Sequence, residues 1–334
     1  MLLNHTQHLP ISLKELLKAT FVNFGGHEIL RHFNKIPKVL FWHGVDDHTD
    51  LILGPENISK ENFVKQVKYL KEKFDIISLD TFSNRYAEKA LKGNEIVLTF
   101  DDGYRNNLTV LAPIMNDFSL PFTTFISTEN ISKNEFFFTS LLRLIILGSS
   151  LKHIDIPSLK MKKEIVSKEQ KVVFEKELSY SIKSLPIDQV KKICKDLINN
   201  ISRDEFEEMK LKHSSILPMN WEEVRELQQA GCEIGSHCLD HMCCHDNQSE
   251  KEVERQIIES KNTIEEKLGK ECKYFAYPNG DFTGFSNECV KRAGYKMGFS
   301  IQKGDRAMES YSRFHVPHNT NTFKIMLNLY GVVL

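Results

Sequence analysis

The sequence predicts an α/β fold: a closed or nearly closed (β/α) barrel of seven to eight parallel strands, interrupted by a helical insertion. Short runs rich in Val, Ile, Phe and Tyr recur along the chain, and most are separated by segments with apolar residues three and four apart. Strand alternating with helix implies parallel pairing and right-handed crossovers. About eight such runs favour a barrel over an open doubly wound sheet, and no G-x-G-x-x-G follows any of the early ones.

The strand candidates are PKVLFWH (37–43), FDIISL (74–79), EIVLTF (95–100), PFTTFIS (121–127), CEIGSH (232–237), CKYFAY (272–277), YKMGFSI (295–301) and SRFHVP (312–317). Between them, ISKENFVKQVKYLKEKF, NWEEVRELQQAG and SEKEVERQIIESKNTIEEKLG carry the helical spacing, and a glycine stops the last two. Residues 1–36 are expected to form an N-terminal helical extension, and residues 37–334 the barrel. The alternation fails over 129–215, where the sequence reads as helix throughout with Pro186 as an interruption. Its lysines are interleaved with glutamates, the pattern of a solvated helical face.

The composition is that of an ordinary globular chain: 334 residues, 41% hydrophobic and 27% charged. A formal net charge of −1 gives no global attraction to nucleic acid or to an anionic membrane. Seven cysteines, an odd number without a compact spacing, suggest a reducing compartment. The N-terminus lacks a basic leader followed by an unbroken apolar stretch, so a cytoplasmic protein is expected. LLRLIILG (141–148) and IMLNLYGVVL (325–334) are the longest apolar runs; both read as buried helix faces, with peripheral membrane contact the most that the second would allow.

One stretch departs from this plan. IVLTFDDGY (96–104) ends a core-bound strand on two adjacent carboxylates, which repel each other and need pairing if buried. Asp-Asp-Gly is also turn chemistry, and a strand end in a parallel barrel is where ligands collect. GSHCLDH closes another strand, and His237 and His241 are spaced so that a turn places both imidazoles on one side. Two imidazoles and one carboxylate form a catalytic zinc-type donor set with a position left for water. A second carboxylate would then be available to take the proton of that water.

TFDDGY, SHxxxH and FAYPNG, in that order at strand ends, resemble the polysaccharide deacetylase family, also called the NodB-homology or family 4 carbohydrate esterases. The resemblance covers about Lys38 to His318 apart from the insertion, and it implies a distorted TIM-like barrel. It implies Asp101 as general base, with Asp102, His237 and His241 as ligands of a divalent metal. Zinc is the first expectation, with cobalt, nickel, manganese or iron as alternatives. The family's R-x-P-Y motif falls on Ala276-Tyr277-Pro278-Asn279, so the backbone N–H of Asn279 would help hold the oxyanion, while the motif's arginine is absent. The L-x-H motif of the general acid falls on Val316-Pro317-His318; His318 is preferred over His315, which would lie within the strand.

His43, Tyr104, Tyr277 and Pro278 are expected beside the substrate, His43 being also an alternative acid or a structural residue. HMCCH (241–245) lacks the Cys-x-x-Cys spacing of structural zinc and reads as free thiols, and Trp42 and Trp221 read as packing. Together these features lead to a cytoplasmic, metal-dependent de-N-acylase, with acetyl the expected acyl group. Its expected substrate is an amino sugar of a nucleotide-linked or lipid-linked precursor of a surface polysaccharide. Two other classes stay open: a non-haem iron oxygenase, which would not need the second aspartate, and a barrel without activity that binds glycan or a protein partner.

Overall fold

The computed structural model describes residues 12–47, 56–301 and 310–329. The chain opens with α1 (Leu13–Asn23) and α2 (Gly26–Phe33) and enters β1 (Lys38–Trp42). β2 (Gly44–Asp46) pairs with β3 (Asn57–Ser59), and α3 (Lys60–Lys73), β4 (Asp75–Ile76) and α4 (Leu79–Ala87) lead to β5 (Glu95–Phe100). α5 (Ala112–Phe118) returns to β6 (Thr123–Ile126), followed by α6 (Thr128–Lys133) and α7 (Phe138–Gly148). Next come β7 (His153–Ile156), β8 (Met161–Glu164), α8 (Lys168–Ile182), α9 (Ile187–Ile198) and α10 (Arg203–Lys212). The barrel resumes with α11 (Trp221–Gln229), β9 (Glu233–Ser236), α12 (Glu250–Leu268), β10 (Tyr274–Ala276) and α13 (Gly284–Arg292). It ends with β11 (Met297–Ser300), β12 (Ser310–Ser312), β13 (Phe314–His315) and α14 (Thr320–Leu329).

The main sheet runs β12-β11-β10-β9-β6-β5-β1-β13 with every ladder parallel, and β4 pairs with the start of β5. β12 and β13 are one segment broken only at Arg313. Its first half pairs with β11, Gly298 opposite Ser310, and its second half with β1, Phe41 opposite His315. One short segment thus joins the two edges of the sheet and closes the barrel. Closure removes the exposed edges, which is why these strands can be short and apolar on both faces.

Side chains alternate across the wall. Val39, Val97, Phe125, Tyr274, Ala276 and Phe299 pack together inside the barrel. Leu40, Trp42, Leu98 and Phe100 point outward into the helical layer, against Phe63, Val67 and Ile257 among others. Trp42 is part of that packing, stacked on Phe100 with its ring N–H on Gln66 at 3.2 Å. The run LLRLIILG lies in the buried face of α7, and α14 buries Phe323 and Leu327. Residues 330–334 of the second apolar run lie outside the described residues. No helix among the described residues is long and apolar enough to cross a membrane. The N-terminal helices pack back onto α14, Asn34 Nδ2 donating to the Asn328 carbonyl at 2.8 Å and Lys18 Nζ to Thr322 Oγ1 at 2.9 Å.

The insertion has a hydrophobic core of its own, running from Phe136 to Leu217 with Tyr104 added from the barrel. It is not helical throughout. His153–Ile156 and Met161–Glu164 form an antiparallel hairpin, because HIDI buries Ile154 and Ile156 on alternate positions, a period of two rather than 3.6. Before that core, α6 still buries Ile131 in the barrel's helical layer, so the separate unit starts later than residue 129.

β5 is anchored at its entry by its own first side chain. Glu95 is 1% exposed and accepts the amide N–H groups of Lys92 and Gly93 at 2.8 Å and of Asn94 at 3.1 Å. Burial alone would raise its carboxyl pKa; the backbone donors outweigh that and hold it below the ordinary glutamate value. A lowered folded-state pKa means stability that is complete above the unfolded value and is lost as pH falls through the folded one. Glu95→Gln is therefore predicted to cost about 1–3 kcal/mol near pH 7. In urea titrations the gap from the wild type should narrow as pH falls below the ordinary glutamate range.

Candidate metal centre and active site

The alternation of β5 separates the carboxylate doublet. Val97, Thr99 and Asp101 follow one another on the inner face, so Asp101 points into the barrel. There Arg313 meets it with both terminal nitrogens, Nη1 to Oδ1 and Nη2 to Oδ2, each at 2.7 Å. The guanidinium side chain is fully buried, lies over the rings of Phe41 and Phe125 at 4.6 and 5.3 Å, and gives a further hydrogen bond to Thr99 Oγ1 at 3.3 Å. Burial would raise the Asp101 pKa; the Arg313 charge and its hydrogen bonds reverse that and keep the carboxylate ionised.

Asp102 turns the other way because its backbone is left-handed, with φ of 75°. Gly103 follows at φ 85°, where a Cβ would stand 2.8 Å from Ile126 Cγ2, so only glycine fits the turn without displacement. Asp102 Oδ1 thereby faces His241 Nε2 at 3.1 Å and His237 Nε2 at 3.6 Å. One ligand atom from each of the three residues lies within 4.8 Å of the others.

The imidazoles are fixed from behind. His237 ends β9, and its Nδ1 bonds the Ala276 carbonyl at 2.7 Å, so that nitrogen carries the proton and Nε2 presents its lone pair. Burial holds the His237 pKa down to about 4, keeping the ring neutral as a ligand must be. His241 stands on a loop with φ of 52° and packs on the rings of His237 and Phe137 at 5.0 and 5.7 Å. Gln256 of α12 pins that loop, its Oε1 accepting the amides of Leu239 and Asp240 at 3.0 Å each.

The donor set fits a divalent cation on the structure's own terms. Asp102 Oδ1 is buried and has no hydrogen-bond partner, a costly state for a carboxylate oxygen unless a cation faces it. Burial would raise the Asp102 pKa, yet the neighbouring imidazoles of His241, His43 and His237 hold it well below the ordinary range. Asp101 is taken up by Arg313, which leaves one carboxylate and two imidazoles to share an ion.

A cavity of about 410 Å³ opens onto these groups, and Asp101, Asp102, His237, His241, His43 and Asn279 all line it. Other sequence expectations fall elsewhere. His318 is not part of the cavity wall, whereas His315 is; Arg313 and His315 are two apart in an extended segment and share its inner face. The strand position that argued against His315 is what aims it inward. Partial desolvation at the cavity wall and the nearby His43 lower the pKa of His315, although the residue is open to the cavity.

Tyr104, Tyr277 and Pro278 are buried rather than substrate-facing. Tyr104 opens the path to the insertion, packs its edge on Phe137 at 5.0 Å and bonds Ser140 Oγ at 3.1 Å. Tyr277 follows inward-facing Ala276 and so points out of the barrel, its hydroxyl on Asn287 Oδ1 at 3.2 Å. Pro278 is buried beside it. Asn279 keeps its place on the wall, in left-handed backbone with φ of 58°. The cysteines are free thiols, and Cys243, the one at the cavity, has its pKa pushed up to about 12 by burial, far from a thiolate ligand.

A family model described as polysaccharide deacetylase matches residues 88–182 and 188–298. Three similar solved structures are the deacetylase PplD of Streptococcus pyogenes, a de-N-acetylase from Aggregatibacter actinomycetemcomitans and IcaB from Ammonifex degensii. Their identities are 14%, 17% and 17%, with TM-scores of 0.56, 0.54 and 0.51. The alignments cover 88%, 87% and 86% of this chain, and 97%, 98% and 96% of the other chains. At this identity they show a shared fold. No curated protein matches the sequence.

Breaking one side of the Arg313–Asp101 pair leaves a buried charge alone. Arg313→Met is predicted to cost about 3–5 kcal/mol in chemical denaturation. Adding Asp101→Asn should recover part of that loss; strictly additive losses would show that the two side chains are not coupled.

Proposed function

The chain belongs to the polysaccharide deacetylase family and is an amide-cleaving hydrolase, and from that premise we propose a metal-dependent de-N-acylase of an amino sugar, acetyl being the expected acyl group. The observation that carries the metal dependence is the buried Asp102 Oδ1, without a hydrogen-bond partner, facing the Nε2 atoms of both His237 and His241. Asp102, His237 and His241 would hold the ion, zinc before the other divalent metals. Such an ion polarises a carbonyl and acidifies a bound water.

The protein's own groups divide the remaining work. Asp101 accepts the proton of the attacking water on a carboxylate that Arg313 fixes in orientation and keeps ionised. The Asn279 backbone N–H faces the developing oxyanion. The proton that Asp101 takes up is relayed by the cavity-wall imidazole of His315, with His43 beside it, to the leaving nitrogen as the C–N bond breaks, so that amide and water become carboxylic acid and amine and Asp101 is again ionised. His43 and Glu56 line the same side of the cavity and offer contacts to sugar hydroxyls.

A nucleotide-linked or lipid-linked precursor as substrate and a cytoplasmic setting belong to the same proposal, supported by seven cysteines that all remain free thiols. An inactive barrel had its best support in the missing arginine at position 276, and Arg313 removes that support by reaching the same aspartate from the closing segment.

Asp101→Asn tests the division of roles. Deacetylation of N-acetylated sugars and nucleotide sugars by the zinc-loaded protein should fall at least about 10²-fold, with one equivalent of metal retained by elemental analysis. His241→Ala should lose the metal. An unchanged rate in the first variant, or full metal occupancy in the second, overturns the assignment.

A further inference from the structure

The cavity wall is divided by barrel sector. His43 stands past the end of β1, beside His315 of β13 and Glu56 just before β3. Glu56 Oε1 is held by Arg143 of α7, which also reaches Glu175 at 3.4 Å, while its buried Oε2 has no partner and is free to accept from a hydroxyl. Beyond β9, β10 and β11 the wall carries carbon side chains, Met242 and Ile301 from the barrel loops and Phe138, Leu185, Ile187 and Val190 from the insertion, and the polar Lys183, Asn279 and Gln248 among them are already paired within the wall. Asp101, Asp102, His237 and His241 lie between the two halves.

The apolar half is a built wall. The corner between α8 and α9 is tied to the metal-side loops by Asn247 Nδ2 on the Ser184 carbonyl at 2.8 Å, Gln248 Nε2 on the Leu185 carbonyl at 3.2 Å and the Ile187 amide on Gln248 Oε1 at 3.0 Å. Lys183 Nζ reaches Asn279 Oδ1 at 3.1 Å, and Lys191 pairs with Asp240 at 2.8 Å, next to His241. A volume of about 410 Å³ accommodates far more than the methyl of an acetyl group. Sugar hydroxyls placed against the carbon wall would be left without partners, whereas methylenes would gain by leaving water.

We propose that the half of the cavity walled by the α8–α9 corner binds an aliphatic chain of the substrate, while the sugar hydroxyls face Glu56, His43 and His315. This rests on the de-N-acylase reading and narrows its substrate to a lipid-bearing amino sugar. The chain has two sources of the same chemistry: an N-acyl group longer than acetyl, or an aliphatic aglycone.

Calorimetric binding to zinc-loaded Asp101→Asn protein separates the sources. One arm extends the N-acyl group of methyl glucosaminide from acetyl through butanoyl and hexanoyl to octanoyl. The other keeps N-acetyl and lengthens the aglycone from methyl to octyl. One arm should tighten about two- to fourfold per methylene, and that arm identifies the source. Leu185→Asn, or Ile301→Asn should the first variant fold poorly, should flatten the same slope. Flat slopes in both arms, or no binding of any member, overturn the proposal. Wild-type turnover of the N-acetyl member is measured in parallel. Turnover with flat slopes leaves the deacylase reading standing without this site; a steep slope with no turnover of any member leaves the chain-binding half and removes the deacylase reading.

Discussion

Two adjacent carboxylates at the inner end of a strand can be buried only if each finds a separate counter-charge, and the Arg313–Asp101 pair makes that separation. With Asp101 gripped at both oxygens from across the barrel, Asp102 is, among the described residues, the carboxylate left to share an ion with His237 and His241. The same arginine sits in the segment that joins β11 to β1, so the strand that closes the barrel also carries the counter-charge of Asp101. Its desolvation is offset by the two charge-assisted hydrogen bonds and by the aromatic faces of Phe41 and Phe125.

Much of this was legible in the sequence. The Val- and Ile-rich runs gave the staves because strands covered on both faces carry no polar alternation, and the spacing of His237 and His241 with an aspartate doublet at another strand end pointed to one donor set. Arg313 was not found, since an isolated arginine before Phe314 has no local signal; the nearest clue was inner-face periodicity, which puts residues 313 and 315 together. The same parity would have chosen His315 over His318 and turned Tyr277 away from the substrate. Gln256 and Glu56 act through tertiary placement, which no spacing rule reveals. The hairpin of the insertion was hidden because its alternation lasts for four residues only, HIDI, among longer helical segments.

The insertion is joined to the chemistry rather than appended to it. Its Phe137 packs on the His241 ring, its Lys191 pairs with the residue before His241, and its α8–α9 corner walls one half of the cavity. Asp102, His241 and Asn279 on the cavity wall all hold left-handed backbone, a concentration of uncommon conformations that only a well-braced surround maintains. The barrel thus supplies the donors and the ionised base, and the insertion supplies bracing and the apolar wall.

The division of roles between the two aspartates is tested most directly by anomalous diffraction at the zinc edge from crystals of the zinc-loaded protein. One peak is expected, within bonding distance of Asp102, His237 and His241, with Asp101 still paired to Arg313. A peak bonded to Asp101, or an Asp101 turned away from Arg313, would contradict it.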